Sequence, residues 1–472
     1  MYTRNVGGLA WMAGFVDGFD AVLRELMLFA SFGFLIGGID DLLVDLIYVA
    51  NRLYTPHPPR LPIQALPQPT ASGRLAVFVA AWDEVAVIGD MLTSALARYD
   101  HPSYRLYVGT YPNDPGTIDA VVRVAETDSR LRLVIVPHDG PTTKADCLNA
   151  VWAAMVADDV RDGPTRAVVL HDAEDVVHPL ELRIVDRLID SHAVVQIPVL
   201  PLIHPRGRLV SGTYADEFAE SHAKQLVVRG ALGAGLPLAG VGCAIATPML
   251  ARIAAARGGM PFDSDSLTED YELGLRIAEL GGRGIFARVE ESPGGPVVAT
   301  RAYFPHSVDA AVGQKARWMI GIALAGWDRT GWARARAIGD HWMRMRDRRA
   351  PLAVLVMATA YLAMLLWVIS LLLHVVAGST MPSPGHWLGW LVATNAALLG
   401  WRLAVRMAFT TRAYGPREGL WAIPRLMVGN YIALFAARRA VIRYVAMLRG
   451  APPVWDKTAH AFPDDVSAIG TS

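Results

Sequence analysis

Long uninterrupted apolar segments and short alternating ones divide this chain into two kinds of region. Residues 351–377 read PLAVLVMATAYLAMLLWVISLLLHVVA, 27 positions without an acidic or basic side chain except His374. About 20 apolar residues suffice to cross a bilayer as a helix, so this segment predicts a transmembrane helix. After the uncharged loop GSTMPSPG, residues 386–409 predict a second span, although Arg402 and Arg406 fall near its end.

Two further apolar runs are shorter. Residues 26–38 are followed by Asp40, Asp41 and Asp45, which predicts either a short span or a helix lying in the membrane interface. Residues 426–437 form a run of 12 between arginines, too few to cross, and predict an interfacial or re-entrant helix. Because the N-terminus lacks a basic start and a small-residue cleavage site, we expect no secretory signal.

Between these apolar regions, residues 61–303 alternate β-branched runs with amphipathic stretches. A linker rich in proline leads into this region and includes Pro56, Pro58, Pro59, Pro62, Pro67 and Pro69. The pattern predicts strands at 75–81, 104–110, 131–137 and 167–172, and helices at 86–98, 117–127 and 144–157. Strands that alternate with helices indicate an α/β fold with a mostly parallel sheet and flanking helices.

These patterns give a division of the chain into five parts. They are an N-terminal membrane-associated helix with its linker (1–60), a globular α/β domain (61–305), interfacial amphipathic helices (306–350), a transmembrane region (351–449) and a C-terminal tail (450–472).

Composition and charge support a membrane protein. Hydrophobic residues make up 53% of the chain and charged residues 19%, below the roughly 25% of soluble domains, which excludes a disordered chain. Two cysteines exclude a disulfide scaffold, and the zero net charge argues against a nucleic-acid partner.

The zero net charge is a sum of two opposite regions. Residues 1–328 carry 27 basic and 38 acidic side chains, whereas residues 329–472 carry 17 basic and 6 acidic ones. Arginine-rich stretches flank both strong spans, so the positive-inside tendency places these flanks in the cytoplasm and the GSTMPSPG loop outside.

A cluster of polar residues follows each of the four predicted strands. These clusters are Trp82-Asp83-Glu84, Tyr111-Pro112-Asn113-Asp114, Thr142-Thr143-Lys144 and Asp172-Ala173-Glu174-Asp175. Each cluster alone fits an ordinary turn. Because ligands of open α/β sheets bind beyond the carboxyl ends of the strands, the four together indicate a binding site.

Three motifs have residue types suited to catalysis. Asp172, Glu174 and Asp175 are hard oxygen ligands that suit Mg²⁺ or Mn²⁺, which completes its shell with phosphate oxygens and neutralises a diphosphate leaving group. Thr268-Glu269-Asp270 predicts either a helix N-cap or a carboxylate general base. Gln314-Lys315-Ala316-Arg317-Trp318 predicts an amphipathic helix at the membrane surface that can also deliver side chains to a site.

In this order the motifs resemble those of the family 2 glycosyltransferases, the processive membrane-bound group that includes cellulose, hyaluronan and chitin synthases. The segments AAWDE, YVGTYPNDP, GPTTKADCLN, LHDAEDVVHP, PLAGVGCA, TEDYELG and VWDKTAHAFP resemble more closely the bacterial phage-adsorption protein B group. Longer members of that group carry a C-terminal domain thought to bind a cyclic dinucleotide, and we expect no such domain in this chain.

The resemblance implies a GT-A fold and a role for each matching residue. Donor-binding residues would be Asp83, Glu84, Asp114, Lys144 and Asp172, and the metal ligands would be Asp172, Glu174 and Asp175. Asp270, with Glu269, would be catalytic. Gly240, Gly242, Gln314, Arg317 and Trp318 would bind the acceptor and the diphosphate.

The resemblance also implies an activity. It is an enzyme of the bacterial inner membrane, with its catalytic domain in the cytoplasm, that uses a UDP-sugar and Mg²⁺ or Mn²⁺ to elongate an exopolysaccharide by inverting transfer. The family suggests a UDP-N-acetylhexosamine as donor, and a glycan acceptor, the lipid bilayer and an outer-membrane export partner as further partners.

Two alternatives stay open from the sequence. One is transfer of a single sugar to a lipid-phosphate carrier, which the small number of strong spans favours. The other is a catalytically silent membrane scaffold or phage-entry receptor. The Q-x-x-R-W motif favours the polymerase over the first alternative, and the intact carboxylates argue against the second.

Overall fold

A computed structural model describes residues 4–55, 61–68, 73–383, 385–451 and 460–463, with side chains described from residue 14 onward. The linker prolines Pro56, Pro58, Pro59 and Pro69 and most of the predicted tail lie outside the described residues.

The globular part is built on a seven-stranded mixed sheet. Its strands run in the order β4-β3-β2-β5-β7-β6-β8, and β7 is antiparallel to both of its neighbours. A short parallel pair, β1 with β9, lies beside it. The strands are β1 (Leu61–Pro62), β2 (Arg74–Ala80), β3 (Tyr104–Thr110), β4 (Leu131–Ile135), β5 (Thr165–His171), β6 (Val194–Gln196), β7 (Cys243–Ala246), β8 (Gly284–Phe286) and β9 (Val289–Glu290). The α/β prediction is confirmed, and the antiparallel β7 is the departure from a parallel sheet.

Helices cover both faces of this sheet because its central strands are apolar on both sides. Residues 75–79 of β2 and 167–169 of β5 are fully buried. The helices of this part are α2 (Ile88–Arg98), α3 (Pro115–Ala125), α4 (Lys144–Asp162), α5 (Glu181–Leu188), α6 (Arg208–Glu220), α7 (Leu226–Ala231), α8 (Thr247–Ala255), α9 (Glu269–Glu279), α10 (Val308–Trp318), α11 (Ala325–Thr330) and α12 (Ile338–Arg348). Two π-helical turns, Ser221–Gln225 and Met319–Leu324, continue α6 and α10.

Four long helices complete the described chain: α1 (Arg4–Tyr54), α13 (Ala350–Ala377), α14 (Gly385–Tyr414) and α15 (Pro416–Leu448). Each contains a segment long and apolar enough to cross a membrane. The two strong spans of the sequence lie within α13 and α14, as predicted.

The apolar run at 26–38 does not end at the aspartates that follow it. It belongs to a continuous helix whose membrane-span candidate covers Gly14–Tyr54. The aspartates are tolerated because each has a partner: Asp41 contacts Arg346 at 2.9 Å and Arg349 at 2.6 Å, and Asp45 accepts a hydrogen bond from Trp401 Nε1 at 2.8 Å. The structure therefore favours a long helix over a short interfacial one.

The prediction that residues 426–437 are too short to cross was wrong about the length of the helix. They are the middle of α15, which has 33 residues. The arginine before the run does not end the helix, because Arg425 is buried and pairs with Glu418 and with Asp216 Oδ1, the latter at 3.2 Å. Through these contacts α15 packs against α6 of the globular part.

Buried and half-buried charges join the membrane helices to the globular part. We call this group the ionic seam: Asp40, Asp41, Asp45, Glu220, Lys224, Arg346, Arg349, Arg402 and Arg406. Lys224, at the centre, contacts Asp45 of α1 and lies 2.8 Å from Glu220 of α6. Arg406 of α14 reaches the other oxygen of Glu220 at 3.2 Å.

Replacing Lys224 by Met tests the ionic seam. The change keeps most of the side-chain volume but leaves two buried carboxylates with one cation fewer. Breaking a buried ion pair in this way lowers the free energy of unfolding by about 3 kcal/mol. We expect a clearly lower melting midpoint for the purified protein in detergent, measured by circular dichroism. Asp309→Asn is the matched control, because its pair with Arg439 is at the surface (Asp309 side chain 89% exposed) and contributes under about 1 kcal/mol. Equal midpoints for the two variants would contradict a stabilising seam.

Candidate active site

The predicted motifs meet in one cleft beyond the carboxyl ends of β2 and β5. Glu84 follows β2, Asp172 follows β5, and Lys144 begins α4. Asp270 in the first turn of α9 and Trp318 at the end of α10 form the opposite wall. The cleft has a volume of about 200 Å³. The structure therefore brings these predicted residues together beyond the carboxyl ends of the strands, where ligands of open α/β sheets bind.

Lys144 is held at the bottom of the cleft by the start of α4. The hydroxyl of Thr143 accepts a hydrogen bond from the backbone N–H of Asp146, which caps the helix. The Lys144 ammonium contacts the Asp172 carboxylate and donates to the carbonyl oxygen of Gly240 at 3.1 Å. Burial lowers the pKa of Lys144, but the surrounding carboxylates, Asp172 first among them, outweigh burial, so the ammonium stays charged.

Asp175 lines the cleft beside Asp172 and Glu174, but one of its carboxylate oxygens is engaged by neighbouring groups. It is 2% exposed, and its Oδ2 accepts from the backbone N–H of Asp172 at 3.0 Å and pairs with His171 Nδ1 at 2.8 Å. Glu181 holds the other ring nitrogen of His171 at 2.9 Å. Burial lowers the pKa of His171, but Glu181 and Asp175 raise it to about 10. Asp175 therefore orders the loop after β5 through these contacts, and its role as a metal ligand stays a prediction.

Asp172 and Glu174 remain as candidate metal ligands. Burial raises the pKa of Asp172, but the Lys144 ammonium outweighs it and the net pKa is lowered. Burial, opposed by His460 but reinforced by the nearby carboxylates, raises the pKa of Glu174 to about 8. Glu174 Oε2 is buried and accepts no hydrogen bond from any described residue, but it lies in ion-pair contact with His460 Nδ1 at 3.3 Å, so a divalent cation that bound this oxygen would take the place of that contact. No group of three His, Cys, Asp or Glu side chains among the described residues could hold an ion unaided, so further ligands must come from elsewhere, such as phosphate.

The Asp270 carboxylate lies directly against Gly240, where the missing side chain leaves room for it. A Cβ atom on Gly240, whose φ is +74°, would lie 2.6 Å from Asp270 Oδ2. The other oxygen, Oδ1, accepts from the backbone N–H of Tyr271 at 2.8 Å. Burial raises the pKa of Asp270, against the opposing effect of Lys144, and burial together with Asp270 raises the pKa of Glu269 to about 7. Thr268 occupies the N-cap position, but its side chain makes no capping hydrogen bond.

The Q-x-x-R-W residues line the same cleft from α10. Gln314 Oε1 is buried and has no hydrogen-bond partner among the described residues. Trp318 packs edge-on against Tyr214, with ring centroids 6.0 Å apart. Its predicted neighbour in the motif, Arg317, also lines the cleft. The motif therefore presents an aromatic ring and two polar side chains beside Asp270.

Three predicted site residues do not line this cleft. The backbone N–H of Asp83 donates to Asp114 Oδ2 at 2.5 Å, and Asp114 Oδ1 accepts from the N–H of Thr117 at 3.3 Å as the cap of α3. Gly242 immediately precedes β7 and lies beside Thr300, where its φ of +57° and a missing Cβ are required. The binding roles of Asp83, Asp114 and Gly242 stay predictions.

Sequence reasoning missed His460, which lines the cleft from the C-terminal segment. Its Nδ1 lies 2.9 Å from Glu84 Oε1 and 3.3 Å from Glu174 Oε2. Burial lowers its pKa, but Glu174 and Glu84 outweigh burial and raise the pKa to about 9. The neighbouring Phe462 packs against the main core. The only sequence signal was its place in the segment VWDKTAHAFP.

Carboxylates, a lysine and an aromatic side chain lie together at one edge of the mixed sheet. This arrangement suits group transfer from a phosphorylated donor. Residues 72–321, more than half of the chain, match the family described as "Glycosyltransferase like family 2". The chain belongs to this family, which confirms the resemblance in its motifs.

Two curated relatives and one solved structure are similar to the chain. Bacteriophage adsorption protein B of Escherichia coli (strain K12) and Bacteriophage N4 adsorption protein B of Escherichia coli O157:H7 are each 34% identical over 459 residues, which cover 91% of this chain and 60% of the relative. The chain thus spans about three fifths of these relatives' length. The mannosyltransferase PcManGT from Pyrobaculum calidifontis, in complex with GDP-Man and Mn²⁺, shares the fold with a TM-score of 0.54 and 19% identity, covering 85% of this chain and 97% of that chain.

Substitution of Gly240 by Ala tests the placement of Asp270. The new methyl group would displace the carboxylate, and we expect nucleotide release from a nucleotide-sugar to slow by about tenfold or more, since small misplacements at a reacting centre are costly. Gly258→Ala is the matched control: its φ is +67° but nothing lies within 4 Å of the added atom. Both variants place an alanine at a similar positive φ, +74° and +67°, so equal rates for the two would contradict a specific effect on Asp270.

Proposed function

We propose that the protein is a metal-dependent, inverting glycosyltransferase that elongates an exopolysaccharide from a UDP-sugar at the inner membrane. The observation that carries the proposal is the convergence of Lys144, Asp172, Asp270 and Trp318 on one cleft beside the membrane helices. Family membership and the fold similarity to a nucleotide-sugar-dependent enzyme support it.

The donor would bind on the β5 side of the cleft. Lys144 places a fixed positive charge next to the predicted diphosphate position, and Asp172 and Glu174 would hold Mg²⁺ or Mn²⁺. When bound, such an ion neutralises the charge that develops on a diphosphate leaving group. The complex of PcManGT with GDP-Man and Mn²⁺ supports metal use in this fold. Asp83, Glu84 and Asp114 are the residues that we propose for the nucleoside.

The acceptor would bind against α10, with its hydroxyl at Asp270. One carboxylate oxygen of Asp270 is held by a backbone N–H, which leaves the other to take the hydroxyl proton. Burial raises the pKa of this carboxyl, and a more basic carboxylate is a better proton acceptor. Gln314, Arg317 and Trp318 would orient the acceptor sugar. A single displacement turns an α-linked donor into a β-linked product.

The membrane arrangement supports a cytoplasmic active site. The ionic seam puts the cleft on the side of the membrane helices where the arginine-rich stretches lie, and such stretches favour the cytoplasm. A glycan made there has to cross the bilayer, which is why an export partner belongs to the proposal.

Asp270→Asn tests the chemical assignment. The amide cannot accept the hydroxyl proton, so we expect transfer to fall by about 100-fold or more while the melting midpoint and the elution volume in detergent stay unchanged. Asp265→Asn, at an exposed position in the preceding loop, is the control and should transfer at the wild-type rate.

The size of the wild-type product separates the proposed elongation from the alternatives. A long glycan supports elongation, one sugar on a lipid phosphate supports single transfer, and no product with any donor supports a silent scaffold. If the Asp270→Asn variant transfers sugar at the wild-type rate, Asp270 is not the general base.

A further inference from the structure

The first turn of α9 carries Asp270 but has no side-chain cap of its own. Thr268 occupies the N-cap position, and its Oγ1 is buried without a hydrogen-bond partner among the described residues. The first N–H groups of a helix have no partner within the helix, and an N-cap side chain normally accepts from one of them. The position of Asp270 therefore depends on the contacts that other elements make with this turn.

Two side chains of this turn reach partners outside α9. Glu272 accepts a hydrogen bond from Arg329 Nε at 3.0 Å. Tyr271, which is 5% exposed, donates its hydroxyl to Asp347 Oδ2 at 2.8 Å. The backbone N–H of Tyr271 also donates to Asp270 Oδ1 at 2.8 Å. A contact that fixes Tyr271 therefore fixes the hydrogen-bond donor that orients the Asp270 carboxylate.

Asp347, in the last turn of α12, is a rigid acceptor for this hydroxyl. Its Oδ1 and Oδ2 both accept from Arg229 Nη1, at 3.0 and 2.9 Å. Arg229 is 4% exposed, and its Nε donates to the carbonyl oxygen of Gly235 at 2.5 Å, so the guanidinium is itself fixed. Hydrogen bonds to an ionised carboxylate are roughly twice as strong as neutral ones, which makes the contact between Tyr271 and Asp347 a strong restraint.

The residues beside Asp347 hold the membrane helix α1. Arg346 donates to Asp41 Oδ1 at 2.9 Å, and Arg349 donates to the same oxygen at 2.6 Å. Helix α13 begins directly after this short segment. The segment therefore contacts the first turn of α9 as well as a membrane helix, and it leads into a second membrane helix.

We propose that Asp347 is a positioning residue for the proposed transfer. Through the hydroxyl and the backbone N–H of Tyr271, it holds the Asp270 carboxylate in the orientation in which Asp270 takes the acceptor proton. This inference rests on the proposed function, because it concerns the base of that reaction. Asp347 lies 76 positions after Tyr271 and outside all of the motifs, and it makes the helix next to the membrane part of the catalytic arrangement.

Tyr271→Phe tests the contact because it removes only the hydroxyl. We expect kcat for nucleotide release to fall by about tenfold, since misplacement of a reacting group slows the chemical step. KM for the nucleotide-sugar should stay within about twofold, because the donor side of the cleft, with Lys144 and Asp172, is left intact. The matched control is Tyr444→Phe, which removes a hydroxyl that donates to Asp328 Oδ2 at 2.9 Å and should leave both constants unchanged. Wild-type kcat in a folded Tyr271→Phe variant overturns the proposal, and so does a loss that appears only as a higher KM.

Variants of Asp347 show whether the effect passes through Tyr271. Asp347→Leu removes the acceptor, and we expect a similar loss in kcat of about tenfold. Asp347→Asn keeps an oxygen that can accept the Tyr271 hydroxyl, so it should retain most of the wild-type kcat. In the double variant Tyr271→Phe/Asp347→Leu the two losses should not add, because both remove the same contact. Additive losses overturn the route through Tyr271. If Asp347→Leu does not fold, the comparison of Tyr271→Phe with Tyr444→Phe decides.

Hydrogen exchange keeps this inference separate from the proposed function. In detergent, we expect the amides of residues 269–273 to exchange several-fold faster in Tyr271→Phe than in the wild-type protein, because the turn loses a restraint. Tyr444→Phe should leave their exchange unchanged. Unchanged exchange at residues 269–273 in Tyr271→Phe overturns the inference even if the wild-type protein releases nucleotide. Faster exchange in a protein that releases nucleotide from no donor shows that Asp347 holds this turn and defeats the proposed transfer alone.

Discussion

The ionic seam is the interaction on which the rest of the structure depends. Three aspartates on α1 would be costly in an apolar environment, and they are stable there because arginines from α12–α14 and Lys224 reach them. The same contacts fix the globular part against the membrane helices. Asp270 and Trp318 line a cavity that Asp41 of α1, Arg346 of α12 and Arg402 of α14 also line. The same contacts therefore position the candidate active site and attach the globular part to the membrane helices.

Local patterns in the sequence predicted much of the fold and of the site. The alternation of apolar strands with amphipathic helices requires only near neighbours, and every predicted strand and helix of residues 75–172 is present within a few residues of its expected bounds. The rule that ligands bind beyond strand ends then places Glu84, Lys144 and Asp172 together. Asp270 and Trp318 come from elements much later in the chain, and their place beside the strand ends was suggested by resemblance alone.

The features that sequence reasoning missed depend on contacts between distant segments. The aspartates after residue 38 read as the end of an apolar run, because their arginine partners lie some 300 positions away. His460 reaches Glu84 across 376 positions. In each case a charged side chain pairs with a residue far away in the sequence. Local sequence patterns cannot predict such a pair.

Nucleotide release by the purified full chain tests the proposed activity most directly. The protein in detergent would be incubated with Mn²⁺ and a panel of UDP-sugars, with GDP-mannose included because the structural neighbour binds it. We predict that a UDP-sugar gives release of UDP, and that a chelator stops the release because no divalent cation then neutralises the charge that develops on the diphosphate leaving group. Absence of release from every donor, or release that a chelator does not affect, would contradict a metal-dependent transferase.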